Sequence, residues 1–418
     1  MEYLVIGNSA AGLSAVKSIR KKDKNSSITL FSDEPYPYYS RLLIPYFIRG
    51  NLLKAQLFEG VKKLLHDYDV RVRLGDRIVE ISSREDKINS LSGHRFSFDR
   101  LLVATGAFPV IPDIPGKALP GVFPVRTLEH AERICSRIKP EGRATILGGG
   151  LVGIQLAQAL SGKGMDVTVV VGSDRVLSRN LDSEGSRFIQ IAAQRMGIKI
   201  LLGREVEEIS QGHEGTVWMV FKDGERMKGD LILWAKGVEP STELLRGANL
   251  PVSRGAVVNG RLQTIRENVF AAGDLVEFYD LTYQEKRNSP IWPNAIEQGC
   301  IAGLNMTGME VEYRGGIGMN VTELFGIKIA SIGKVESGTE AEAVAFLNPE
   351  KGMYRKIVMK NNLIEGAILM GDISDCGVLH RLIKNRSNVG NMIQRLINQS
   401  ARVSNGIYGG SRLSEGPA

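Results

Sequence analysis

Residues 2–21 read EYLVIGNSAAGLSAVKSIRK, and the reading of this stretch decides the fold. Glu2 to Ile6 form the apolar run of a short buried strand. The turn GNSAAG follows at once, then a segment with apolar residues at helical spacing, then a second strand, SSITLFSDE, ending on acids. Strand, glycine turn, helix, strand and acid is the setting in which a glycine-rich turn cradles a dinucleotide pyrophosphate. Gly7 permits the tight turn, Ser9 is small enough for a phosphate to approach the backbone, and Gly12 lets the helix lie close to the sheet. Unpaired N–H groups of the first helical turn, at Ala10 and Ala11, would face the pyrophosphate. Asp33 and Glu34 are the candidates for the ribose hydroxyls.

RATILGGGLVGIQLAQAL (143–160) repeats the arrangement, with Gly148, Gly150 and Gly153 in the turn, Val152 at the helix start, and DVTVVV as the next strand. Two such signatures imply two nucleotides: a bound flavin adenine dinucleotide (FAD) and a nicotinamide dinucleotide, NAD(P)H, that delivers hydride to it. The second strand ends VVVGSDR, which leaves Val171 where an acid is expected. Without that carboxylate the ribose loses an acceptor, and Ser173 with Arg175 could hold a 2′-phosphate instead. NADH against NADPH stays open.

Composition narrows the class. A chain of 418 residues suggests about three domains. With 43% hydrophobic and 24% charged residues it reads as an ordinary globular protein. No apolar run approaches the roughly twenty residues of a membrane span. A strand at residue 2 leaves no room for a signal peptide, so the expected location is cytoplasmic. Cys135, Cys300 and Cys376 are far apart and lack metal-ligand spacing, so no metal site is expected. The net charge of +7 could steer an acidic partner, but no basic block or basic–aromatic stripe points to nucleic acid. None of the five histidines falls in a motif, so none is given an acid–base role.

Further motifs carry a family resemblance. LLVATGAFP (101–109) and WAKGVEPST (234–242) resemble paired segments of the pyridine nucleotide–disulfide oxidoreductase superfamily, and ENVFAAGDL (267–275) is similar to its second flavin motif. WPNAIEQGCIAGLNM (292–306) resembles the helix that points at the flavin ring. DEPYPYYSRLLIPYFIRG and AILMGDISD look most like the flavin domain of assimilatory nitrite reductase and the NADH:rubredoxin or iron–sulfur-protein reductases. The resemblance implies flavin contacts at Val79, Ala104, Thr105, Gly106, Arg126, Gly273 and Asp274, and nicotinamide-side contacts at Gln155 and Gly237. A helix starting near Pro293 would aim about half a positive charge at the ring and stabilise its reduced anion. In sulfur-using members a cysteine stands beside the flavin; here Leu42, in LLIPY, takes that position, and Arg41 beside it could touch the cofactor or a docked partner. Leucine forms no sulfenate, so electrons are expected to leave the flavin directly.

The expected architecture is α/β: two Rossmann-like dinucleotide-binding domains plus a small α+β C-terminal domain. The flavin domain is expected at 1–112 and 236–308, the nicotinamide domain at 113–235, an interface domain at 309–385, and a helical or disordered tail at 386–418. Asn361 and Asn362 read as a hairpin turn between strands. The implied activity is FAD-dependent NAD(P)H oxidoreduction with an iron–sulfur or rubredoxin-type protein as acceptor or donor, in a possible homodimer or larger complex. The rival readings are a flavin-bearing electron-transfer or docking subunit with little nicotinamide turnover, and an oxidase or peroxidase.

Overall fold

The computed structural model describes residues 1–82, 84–336, 341–348 and 352–390; the rest of the tail expected to be helical or disordered lies outside the described residues. Two parallel five-stranded sheets dominate. In the first the order is Val269–Ala271, Arg100–Val103, Glu2–Ile6, Ser27–Phe31, Arg71–Arg73. In the second it is Val122–Pro124, Leu231–Trp234, Arg143–Leu147, Asp166–Val171, Lys199–Leu202. Both central strands, EYLVI and RATIL, are buried at every position after the first, on both faces, which suits their largely apolar sequences. Each half also carries a three-stranded antiparallel sheet, beginning at Ile78–Ile81 and at Val206–Gln211. A two-stranded ribbon, Ala107–Pro109 with Val238–Pro240, joins the halves. The two halves repeat one architecture.

The C-terminal unit is an antiparallel sheet in the order Met319–Leu324, Ile327–Gly333, Leu363–Met370, Met353–Lys360, Glu342–Asn348, with helix Cys376–Lys384 packed on it. Asn361 and Asn362 take φ of 51° and 59° between two of its strands, the left-handed pair that a tight hairpin needs. The α/β architecture with a small third sheet is the expected one. Strand Glu342–Asn348 is unexpected; it is a partly exposed edge, and its alanines give little alternation of polarity.

PYPYYSRLLIPY (35–46) follows the first nucleotide-type unit in sequence but packs with the core of the second. Tyr39, Ile44, Ile48 and Leu57 are buried among Phe123, Val125, Leu128 and Ala131. After an irregular stretch the chain forms a short turn, Arg41–Leu43, and helix Ile44–Arg49. Pro45 lies in the first turn of that helix, where its missing N–H costs no hydrogen bond, and Gly50 ends it at φ +86°. The segment is a wedge between the two halves.

Candidate functional site

Two turns of the same construction lie at the ends of the two central strands. Gly7 has φ +123°, and a Cβ there would lie 2.1 Å from the carbonyl oxygen of Ala104. Gly148 has φ +135°, and its Cβ would lie 2.2 Å from the carbonyl oxygen of Ala235. A Cβ on Gly12 would sit 1.9 Å from Gly7 O, and one on Gly153 2.0 Å from Gly148 O. Only glycine fits these four positions.

The helices that follow begin without a cap. Helix Ala10–Lys22 starts after Ser9 and helix Leu151–Ser161 after Gly150; neither residue makes a side-chain cap bond, and neither first turn holds an acid. Helix Trp292–Met306, with Pro293 in its first turn, is also uncapped. By contrast, Thr127 caps Leu128–Cys135 and Asp182 caps Ser183–Arg195. Each of these three starts leaves N–H groups free for anionic or electron-rich groups, as do other uncapped helices such as Cys376–Lys384. Gly150 faces open space, and Val152 beside it is 45% exposed.

A cleft of about 210 Å³ gathers Gly7, Ser9, Asp33, Glu34, Arg41, Val79, Ala104 and Thr105. Glu34 and Asp33 part company there. Glu34 accepts from Arg41 Nη2 at 2.8 Å and from the Tyr39 hydroxyl at 2.5 Å, so its carboxylate is engaged within the protein. Burial and then the Glu34 charge push the Tyr39 hydroxyl well above its usual range, which keeps it a donor. The same hydroxyl accepts from Leu128 N–H at 2.8 Å. Asp33 is exposed and lines the cleft.

The remaining first-half candidates adjoin this cleft. Ala10, Ala11 and Gly12 are buried in the first helix, and Gly273 (φ +84°) approaches it closely enough for an added Cβ to meet Ala11 Cβ at 3.0 Å. Gly106 (φ +73°) lies between the guanidinium groups of Arg126 and Arg41. Arg126 Nη2 donates to Asp274 at 2.8 Å. Leu42 is 58% exposed on the short turn beside Arg41. Three buried polar atoms around the cleft have no protein partner: Asn8 Oδ1, Arg126 Nε and Ser241 Oγ. Orphaned polar atoms beside glycine-only turns fit a polar, phosphate-bearing dinucleotide.

On the second side the candidates disperse. Gln155 Nε2 donates to Thr322 of the C-terminal sheet at 3.0 Å. Ser173 Oγ donates to Arg175 O at 2.8 Å, and the Arg175 guanidinium pairs with Asp174 and Glu336. Both groups are thus engaged within the protein, although Arg175 Nε has no hydrogen-bond partner among the described residues. Val171 is buried against Gly149, so it is a packing residue. Gly237, at φ +95°, faces open space.

Sequence reasoning overlooks Gly299 and Gly303. A Cβ on either would strike the carbonyl oxygens of Ala11 (2.1 Å) and Ala15 (2.5 Å). These two glycines bring helix Trp292–Met306 against the first helix, and Gln298 Oε1 accepts from Gly273 N–H at 2.8 Å. The spacing of two glycines four apart on one helix was the available signal. All three cysteines are free thiols; Ser18 Oγ donates to Cys300, and burial raises the Cys135 pKa. Among the described residues no group of side chains could hold a metal ion, and no helix is long and apolar enough to cross a membrane.

A duplicated parallel α/β arrangement with a glycine-only turn in each half and a third helix N-terminus beside the first is the architecture of a protein that binds two dinucleotides. The chain belongs to the family described as pyridine nucleotide-disulphide oxidoreductase, whose profile matches residues 1–299. Residues 319–387 match the profile described as rubredoxin NAD+ reductase C-terminal domain. The chain is 33% identical to an NADH oxidase of Methanocaldococcus jannaschii, over 80% of its own length and 76% of that protein's. It is 28% identical to a nitrite reductase [NAD(P)H] of Bacillus subtilis, over 93% of this chain and 48% of the relative. The chain thus spans about half the length of the first curated relatives it matches. A persulfide reductase structure from A. fulgidus superposes with a TM-score of 0.88 at 25% identity, covering 94% of this chain and 79% of that one.

Proposed function

We propose that the chain is an FAD-dependent NAD(P)H oxidoreductase that exchanges electrons with an iron–sulfur or rubredoxin-type protein. The observation that carries this is the repeated close approach, Gly7 to Ala104 O and Gly148 to Ala235 O, beneath two uncapped helix starts. On this reading the first half, at 1–112 and 236–308, holds the flavin, and 113–235 holds the nicotinamide nucleotide. Flavin, when bound, accepts hydride from the nicotinamide and can release the electrons singly.

The protein's part is to bind and orient. The N–H groups at Ala10 and Ala11 would hold the pyrophosphate, Asp33 would accept from the adenosine ribose, and Arg126 with Asp274 would hold the part of the cofactor between them. The start of helix Trp292–Met306 supplies positive potential, which favours a reduced, anionic ring. Arg41 is held by Glu34 and serves the shape of the cleft rather than a solvated surface. By the family resemblance Leu42 takes the place of a reactive sulfur, so a bound flavin would pass its electrons on without a cysteine relay. The name of the profile matching residues 319–387 supports a rubredoxin-type partner.

Anaerobic rapid mixing with NADH and with NADPH tests the reading. Flavin absorbance should bleach within seconds with at least one of them, and oxidised rubredoxin or ferredoxin should restore it. No bleaching with either nucleotide would instead favour an electron-transfer or docking subunit of a larger assembly. Rapid turnover with oxygen alone would favour an oxidase.

A further inference from the structure

The two halves match bond for bond where their second strands end. In the first, Gly7 N–H donates to Phe31 O at 2.9 Å, Asp76 N–H to Ser32 O at 3.0 Å and Gly75 N–H to Glu34 O at 3.1 Å. In the second, Gly148 N–H donates to Val170 O at 2.9 Å, Arg204 N–H to Val171 O at 3.0 Å and Gly203 N–H to Ser173 O at 3.0 Å. Ser32 is therefore level with Val171 and Asp33 with Gly172, while Arg77 on the adjoining segment is level with Glu205. Asp33 and Arg77 both line the first cleft. Position 205 accordingly faces the corresponding space in the second half.

Gly172 has no side chain to offer there. A Cβ built on it would lie 3.2 Å from Oε1 of Glu205, so this carboxylate lies in contact with the place where a side chain equivalent to Asp33 would start. Oε2 of Glu205 accepts from Lys222, which leaves Oε1 toward the strand end. The Lys222 bond and charge hold the carboxyl below the usual carboxylate range, so it is ionised at neutral pH. Nearby arginines are in ion pairs, Arg175 with Asp174 and Glu336, Arg204 with Asp223 and Glu225; Arg175 Nε has no hydrogen-bond partner among the described residues, and the Lys236 charge also acts on Glu205.

We infer that Glu205 supplies the carboxylate that binds the adenosine ribose of the nicotinamide nucleotide, in place of the acid absent at Gly172, and so selects NADH over NADPH. A carboxylate accepts bonds from ribose hydroxyls, whereas a 2′-phosphate would meet its negative charge. The inference rests on the nicotinamide-dependent reading above and names the group that sets its nucleotide preference.

Calorimetric titration of the flavin-loaded chain with NAD+ and NADP+ tests it without relying on turnover. Wild type should bind NAD+ at least about tenfold more tightly than NADP+. Glu205→Gln should lose about tenfold or more in NAD+ affinity, the size expected for a charge-assisted hydrogen bond, with NADP+ unchanged or tighter. Lys222→Met breaks the same ion pair but keeps the carboxylate, so it should retain the preference for NAD+. If Glu205→Gln binds both nucleotides with the wild-type ratio, or Lys222→Met loses the preference equally, the assignment of Glu205 is overturned while nicotinamide binding stands. If wild type binds neither nucleotide, the functional reading fails with it.

Discussion

Arg126 and Asp274 meet at 2.8 Å although 148 residues separate them in the chain. Arg126 follows the edge strand of the second sheet, and Asp274 lies in the short turn that leaves the first. Both side chains are largely buried, and Arg126 keeps one N–H without a partner. The pair clamps the two halves beside the cleft.

Asp274→Ala should therefore purify with much less flavin than wild type, because it removes an acceptor at the cleft and frees a buried guanidinium. The ratio of flavin to protein absorbance measures this directly. Full occupancy would show that Asp274 is not part of the flavin site.

Gly299→Ala should weaken flavin binding from outside the cleft. Its methyl group would stand 2.1 Å from Ala11 O, so helix Trp292–Met306 must move away from the turn it supports. Forcing such a contact costs about 1–3 kcal/mol. Gly377 lies in helix Cys376–Lys384 with nothing near its added Cβ, and Gly377→Ala should be neutral or stabilising by about 0.5–1 kcal/mol. Thermal midpoints and flavin retention of the two variants should diverge; equal behaviour would refute the helix–helix constraint.

What the sequence reveals depends on how local the physical constraint is. Both glycine turns are legible because the required close approach falls at fixed offsets from a strand. Asn361 and Asn362 are legible because few residues accept positive φ. The partners of Tyr39 and Ile44 are not, since burial against the second unit leaves no mark distinct from burial against the first. The missing acid is displaced by one residue for a similar reason. Val171 ends the apolar run, but hydrogen bonds between strands, which sequence does not contain, place Gly172 level with Asp33. Glu205, on another strand's exit, has no local signature at all.

Asp182 joins the second unit to the C-terminal sheet. Its Oδ1 caps Gly185 N–H at 3.0 Å, while Oδ2 accepts from Tyr354 at 2.6 Å and Lys356 at 2.9 Å. Both members of the ion pair are buried. Lys356→Met leaves the carboxylate without its counter-charge and should cost about 3–5 kcal/mol. Adding Asp182→Asn keeps the cap but removes the stranded charge, so the double variant should recover much of the loss. Denaturation midpoints of the four proteins in this cycle measure the coupling, and simple additivity would rule out a buried ion pair here.

Stability should fall as pH drops from about 7 to 5, partly through His130. Burial is the main cause that holds its pKa below the ordinary value. Its Nδ1 also accepts from Thr127 N–H at 3.3 Å in the cap of helix Leu128–Cys135, a bond that a proton on Nδ1 would remove. A histidine depressed in the folded state gives stability that is complete above the unfolded value near 6.5 and is lost as pH falls through the lower folded value. Burial and Lys384 depress His380 in the same direction, so it adds to the same slope. Glutamine stays neutral throughout and can take the Thr127 bond as a capping-box residue. His130→Gln should accordingly flatten the decline between pH 7 and 5, and His130→Gln with His380→Gln should flatten it further. Unfolding midpoints at constant ionic strength, taken in small pH steps, provide the measurement. Parallel curves for wild type and His130→Gln would show that the imidazole does not titrate differently in the folded and unfolded chains.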